Sequence, residues 1–147
     1  MNKVIISPSI LSADFANLER DIKKVENCGA DWIHIDIMDG HFVPNITIGV
    51  PVVKSIKKCT KLFLDTHLMI ENPDKYIDAF SNAGSDLITF HYEASKNNTP
   101  ELIKEIKAHN VVAGISIKPK TSVEEIEEYI NSIFGFSDFI IFANSVK

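Results

Sequence analysis

Short runs of apolar, mostly β-branched residues alternate along the chain with longer stretches whose apolar positions recur every three or four residues. The short runs predict strands at residues 4–10, 32–37, 62–68, 87–90, 111–117 and 139–142. The longer stretches predict helices at 18–28, with Leu18, Ile22 and Val25 on one stripe, near 50–56, and at 73–83, 100–109 and 123–133. Asn72-Pro73 and Thr99-Pro100 read as capping side chains ahead of a proline at the first helical position, and Gly29 and Gly84 as helix stops. Gly29-Ala-Asp-Trp32 and Gly84-Ser-Asp-Leu87 occupy equivalent places in successive βα units, which points to an internal repeat.

Near-continuous apolar strands interleaved with helices predict a parallel sheet under helical cover, within one α/β domain over residues 1–147. Periodicity leaves open whether the sheet is doubly wound or closed as a barrel. Ligands gather at the carboxyl ends of the strands in both, and Ser9, Asp36, Met38, His67 and Met69 fall there.

The run Trp32-Ile-His-Ile-Asp-Ile-Met38 sets His34, Asp36 and Met38 at alternate positions, so they share one face of a strand. An imidazole and a carboxylate on a buried strand need partners, and a divalent metal is one such partner. A second run, Leu62-Phe-Leu-Asp-Thr-His-Leu-Met-Ile70, repeats the pattern with Asp65, His67 and Met69. His34, Asp36 and His67 are therefore candidate metal ligands, a set that suits zinc, iron, manganese or cobalt. The plainer reading keeps the histidines as locally satisfied core residues and the methionines as gap-fillers. His41, His91 and His109 have no partner that the sequence names. Lys118-Pro119-Lys120-Thr121 reads as the end of a strand and the start of a helix, placed at the rim where a substrate would approach.

Length and composition narrow the classes. With 147 residues, 45% of them hydrophobic, the chain builds one real core and not two. Fifteen basic against 20 acidic residues give a net charge of −5 without a basic stripe, which argues against nucleic acid. No run approaches membrane-spanning length and the start lacks a signal-peptide core, so a soluble cytoplasmic protein is expected. Cys28 and Cys59 form no CxxC pair and are expected as reduced thiols. None of the 6 glycines forms a phosphate-cradling loop.

Five segments, in order, closely resemble the ribulose-phosphate 3-epimerase family: Ile6-Ser-Pro-Ser-Ile-Leu-Ser-Ala-Asp14, His34-Ile-Asp-Ile-Met-Asp-Gly-His-Phe-Val-Pro-Asn45, Asp65-Thr-His-Leu-Met69, Thr89-Phe-His91 and Gly114-Ile-Ser-Ile-Lys-Pro119. The resemblance implies a TIM (β/α)8 barrel, here an incomplete one of about six βα units. It implies an isomerase that interconverts ribulose 5-phosphate and xylulose 5-phosphate by two-base proton transfer at carbon 3. It makes His34, Asp36 and His67 ligands of a divalent metal, Asp36 also an acid/base, Ser9 and His67 substrate contacts, and Met38 and Met69 an apolar cushion. It also implies a small phosphorylated ketose as partner and a homo-oligomer. Asn144 stands where the family has a third methionine, and the seventh and eighth strands, with the second catalytic Asp and the Gly-rich phosphate loops, have no counterpart in these residues. Little activity is therefore expected of the 147 residues alone. The alternatives are an allulose-6-phosphate 3-epimerase and a non-catalytic metal-binding or self-associating barrel remnant.

Overall fold

The computed structural model describes residues 4–133 and 141–143. Among the described residues, β1 (Trp32–Met38), β2 (Phe63–Met69), β3 (Leu87–His91), β4 (Val112–Ile117) and β5 (Ile141–Ala143) form one parallel sheet in chain order. The helices are α1 (Leu18–Asn27), α2 (Val50–Cys59), α3 (Ile77–Ala83), α4 (Thr99–Ala108) and α5 (Glu127–Ile133). Single 3-10 turns, Pro73–Tyr76 and Val123–Ile126, lead into α3 and α5. The last predicted strand is met by β5, while its residues 139 and 140, like Asn144, lie outside the described residues.

Side-chain alternation decides what each face of the sheet does. Ile33, Ile35 and Ile37 of β1, Leu64 and Leu68 of β2, Ile88 and Phe90 of β3, and Ala113, Ile115 and Ile117 of β4 belong to one buried cluster. The helices supply the other half of that cluster, including Ile22, Val53, Ile56, Ile77, Phe80, Leu102, Ile103 and Ile106. Burying each such side chain contributes roughly 1.5–3 kcal/mol, so this layer between sheet and helices is the main source of stability. The opposite face carries His34, Asp36, Asp65, His67, Thr89, His91 and Ser116. Strands in sequential order with helices packed on a single face are the winding of a TIM barrel, and they exclude the doubly wound alternative.

The predicted strand at 4–10 is a correction. This segment lies beside β1 but forms no regular strand. The Ile6 carbonyl accepts from the Asp31 and Trp32 amides, the Pro8 carbonyl from His34 N–H, and Ser9 bridges His34 in parallel. Pro8 has no N–H to extend a ladder, and Ile10–Ser12 already turns into a 3-10 helix whose first amides include Leu11 N–H on Ser9 Oγ. The capping expectation also fails: neither Asn72 nor Thr99 caps a helix with its side chain. Asn98 takes the cap position of α4, and the Thr99 hydroxyl turns back to the Ser95 carbonyl at 2.8 Å.

The two Gly-x-Asp segments make equivalent contacts, but they precede β1 and β3 with α2 and β2 between them, so they belong to alternate units and not to successive ones. Gly29 and Gly84 have φ of +92° and +105°, the left-handed region that ends a helix without a Cβ penalty. Two residues on, Asp31 Oδ2 accepts from Ile6 N–H at 3.0 Å and Asp86 Oδ2 from Leu64 N–H at 2.8 Å. The amides of Asp31 and Asp86 donate back to the carbonyls of Ile6 and Leu64. Each aspartate thus ties the entry of its own strand to a neighbouring segment, Asp31 to the extended residues around Ile6 and Asp86 to β2. Cys28 and Cys59 are free, as expected.

Candidate functional site

The register between β1 and β2 assembles the site. His34 stands opposite Asp65, Asp36 opposite His67, and Met38 opposite Met69. Parallel partners on the same face are neighbours, so the two sequence patterns become one polar patch under an apolar tip. Asp36 and His67 occupy the carboxyl-terminal halves of their strands, while His34 sits two residues deeper, in the amino-terminal half of β1.

Two imidazoles converge on one carboxylate oxygen. His34 Nε2 lies 3.1 Å and His67 Nδ1 3.2 Å from Asp36 Oδ1. One ligand atom from each of the three residues lies within 4.8 Å of the others. The other Asp36 oxygen accepts from the Ser9 hydroxyl at 2.7 Å. Burial works against a charged Asp36, but the hydrogen bonds from His34, His67 and Ser9 outweigh it and hold the carboxyl well below its usual range. Burial likewise opposes a charged His34, yet Asp36 and Asp65 raise its ring to about 10.

This donor set fits a divalent cation. Two imidazole nitrogens and a carboxylate oxygen are the ligands of zinc and its neighbours, and the strand register itself brings them around one point. His34, Asp36 and His67 can hold such an ion, and each is less than one-sixth exposed at its side chain.

The sequence brought Ser9, His34, Asp36, Met38, His67 and Met69 forward, and all of them meet here. Met38 and Met69 are buried at the tips of β1 and β2, one step beyond Asp36 and His67 on the same face. Four contributors were not assigned a task from the sequence. Asp65 Oδ2 takes His34 Nδ1 at 2.6 Å; its shared face was legible, its partner was not. Thr47 donates its hydroxyl to the Asp36 carbonyl at 2.7 Å and accepts from Met38 N–H, which folds the loop after β1 back onto the strand. His91 is buried against His67, and Glu93 lies beyond it. Burial and the neighbouring His67 lower the His91 ring below its ordinary value. Apart from His91 and Glu93, which are two residues apart, these contacts join segments distant in sequence, so no local pattern marks them.

A cavity of about 420 Å³ opens beside the site, lined by Phe42, Val43, Pro44, Met69, His91 and the 118–121 turn. Lys118 Nζ sits 3.8 Å from the centre of the Phe42 ring. The segment Lys118-Pro119-Lys120-Thr121 therefore does end β4 and lead to the next helix, and it also forms the rim of this cavity.

Comparisons with known proteins agree with this arrangement. The sequence profile of the ribulose-phosphate 3 epimerase family matches residues 5–140. A ribulose-phosphate 3-epimerase of Bacillus subtilis is 52% identical over 130 residues, covering 87% of this chain and 58% of the relative. The cytoplasmic isoform of ribulose-phosphate 3-epimerase from rice is 52% identical over 121 residues, covering 82% of this chain and 53% of the relative. The chain thus spans between about half and three-fifths of the length of these curated relatives. Among solved structures, the tryptophan synthase alpha chain of Legionella pneumophila superposes with a TM-score of 0.66 at 16% identity, covering 99% of this chain and 63% of that one, a likeness of fold. A profile match across nearly the whole chain, and relatives that share half their aligned positions with it, are of one kind with the convergent His34, Asp36 and His67: the chain belongs to the ribulose-phosphate 3-epimerase family.

Proposed function

We propose that this chain carries the metal-holding, proton-transferring part of an isomerase that inverts carbon 3 of a pentulose 5-phosphate, interconverting ribulose 5-phosphate and xylulose 5-phosphate. The observation that supports this reading best is the meeting of His34 Nε2 and His67 Nδ1 on Asp36 Oδ1 at the carboxyl side of a TIM-barrel sheet. His34, Asp36 and His67 hold the ion, with zinc, iron, manganese and cobalt all compatible. When bound, a divalent ion supplies Lewis-acid stabilisation for the negative charge that builds on the ketose oxygens.

The chain's own residues do the rest. Asp36 removes the carbon 3 proton, and the C–H electron pair passes into the adjacent carbonyl; a proton returned to the other face completes inversion. Asp36 suits this role because Ser9 and the two imidazoles fix its plane. In this reading Ser9 and His67 contact the substrate, and Met38 and Met69, both buried, form an apolar wall that donates no competing proton. Inversion needs a second acid on the opposite face, and the family resemblance assigns it to a seventh strand that follows the aligned region. Lys118 and Lys120, on the rim of the neighbouring cavity, complement a phosphorylated ligand. A single domain, self-association and a cytoplasmic setting complete the reading, the last on the precedent of the rice relative's name.

The test is hydrogen exchange at carbon 3. Ribulose 5-phosphate incubated in heavy water with the chain and zinc, manganese or cobalt should lose its carbon 3 proton signal by NMR, and a chelator should stop the loss. Absence of exchange with every metal overturns the proposal.

A further inference from the structure

His91 is buried on the inner face of β3 and has to satisfy two ring nitrogens there. It does so along one line. Its Nε2 lies 3.0 Å from His67 Nε2, and its Nδ1 lies 3.4 Å from Glu93 Oε2. Glu93 is itself clamped, since its other oxygen accepts the Lys118 amide at 2.6 Å and the Thr121 hydroxyl. The His67 and His91 ring centres lie 5.0 Å apart with 26° between their planes, and the Phe42 ring packs against His91 at 4.9 Å. A continuous row therefore runs from Asp36 on β1, through His67 on β2 and His91 on β3, to Glu93 and the turn after β4.

The row has a direction. Without an ion His67 Nδ1 donates to Asp36 Oδ1; for it to offer the Nδ1 lone pair to an ion instead, its proton must sit on Nε2, which then donates to His91 Nε2. His91 must in turn carry its proton on Nδ1, where the Glu93 carboxylate accepts it. No other pair of neutral tautomers satisfies both His91 contacts and leaves His67 Nδ1 open to a cation. From this geometry we infer that His91 and Glu93 are positioning residues for the metal centre: Glu93, braced by Lys118 and Thr121, sets the tautomer and plane of His91, and His91 sets those of His67. A carboxylate behind a ligating histidine is a known way to fix its orientation and raise its basicity. Here an interposed imidazole carries that influence one strand further. The chain of contacts also ties the turn that rims the cavity to the ion's ligand, so the rim and the centre are held in one frame.

The inference rests on the metal-binding reading, and the experiment separates the two. Cobalt(II) is titrated into the full 147-residue chain and into Glu93→Gln and His91→Asn, with the visible ligand-field bands and competition by a chelator as readouts. Glu93→Gln should weaken cobalt and zinc by about tenfold or more and alter the cobalt bands, while the melting temperature of the metal-stripped protein stays close to that of the unaltered chain. Unchanged affinity and bands in both variants overturn the inference and leave the metal site standing. Failure of the unaltered chain to bind either ion overturns both readings. A measurement on the unaltered, zinc-loaded chain guards against unfolding of the variants. Long-range proton–nitrogen NMR should find the His67 proton on Nε2 and the His91 proton on Nδ1, and the opposite assignment overturns the proposal.

Discussion

His34 Nδ1 lies 2.6 Å from Asp65 Oδ2, a contact between residues that face each other across the β1–β2 register. It turns the other ring nitrogen toward Asp36. Asp65 has no exposed surface and, among the described residues, its second oxygen has no hydrogen-bond partner, so this carboxylate is committed to His34. Asp65→Asn keeps the volume and removes the charge. It should lower divalent-metal affinity by about 10- to 100-fold, measured by chelator competition. Equal affinity would show that His34 needs no such support.

Metal binding should release a proton and strengthen with pH. The metal-stripped chain holds His34 charged, its ring raised from an ordinary 6.5 to about 10 because Asp36 and Asp65 outweigh burial. An ion needs Nε2 deprotonated, so apparent affinity should climb about tenfold per pH unit between these values. Calorimetry in two buffers of different ionisation heat counts the proton. The sign for stability is opposite: with the folded value above the unfolded one, His34 stabilises the metal-stripped fold fully below pH 6.5, and this is lost as pH rises through about 10. Asp36, held below its ordinary 3.8, contributes above that pH, and its share is lost as acid approaches the lowered value. Thermal unfolding across pH without metal reads both limbs.

Asp36→Asn should cut carbon 3 proton exchange by about 10²- to 10⁴-fold, the usual worth of a positioned acid/base. Ser9→Ala, which removes one hydrogen bond from the same carboxylate, should cut it less. Exchange that survives Asp36→Asn would assign the base elsewhere.

Gly114 is where β3 and β4 leave no room for a side chain. A Cβ there would clash with Thr89 Oγ1 and stand 3.2 Å from Thr89 Cβ. Gly114→Ala should therefore cost about 1–3 kcal/mol in urea unfolding. Thr89→Ala removes the obstacle together with a buried hydroxyl that has no partner among the described residues, so the double variant should recover much of the loss. Additive costs would rule out this steric cause.

Val4 and Ile6 are 80% and 57% exposed beside β1, an apolar edge that invites pairing. Sedimentation should show concentration-dependent association, weakened by Val4→Lys with Ile6→Lys. A monomer at every concentration would remove self-association from the account.

The alternation of residues in 32–38 and 63–69 by itself determined that His34 and Asp36 share one face of their strand and Ile33 and Ile35 the other, and that Asp65 and His67 are likewise opposite Leu64 and Leu68, because side-chain period follows from local backbone geometry. Gly29 and Gly84 likewise announced where two helices end, since a positive φ is a local demand. Register is not local. That His34 meets Asp65, that His67 lies between Asp36 and His91, and that Glu93 is braced by the turn after β4 follow from how packed strands and helices fix neighbouring strands in height. The same cause limits the segment before Ile10 to a bridge and a few hydrogen bonds, although its composition reads as a strand: a strand needs paired neighbours, and pairing is decided only by the assembled sheet.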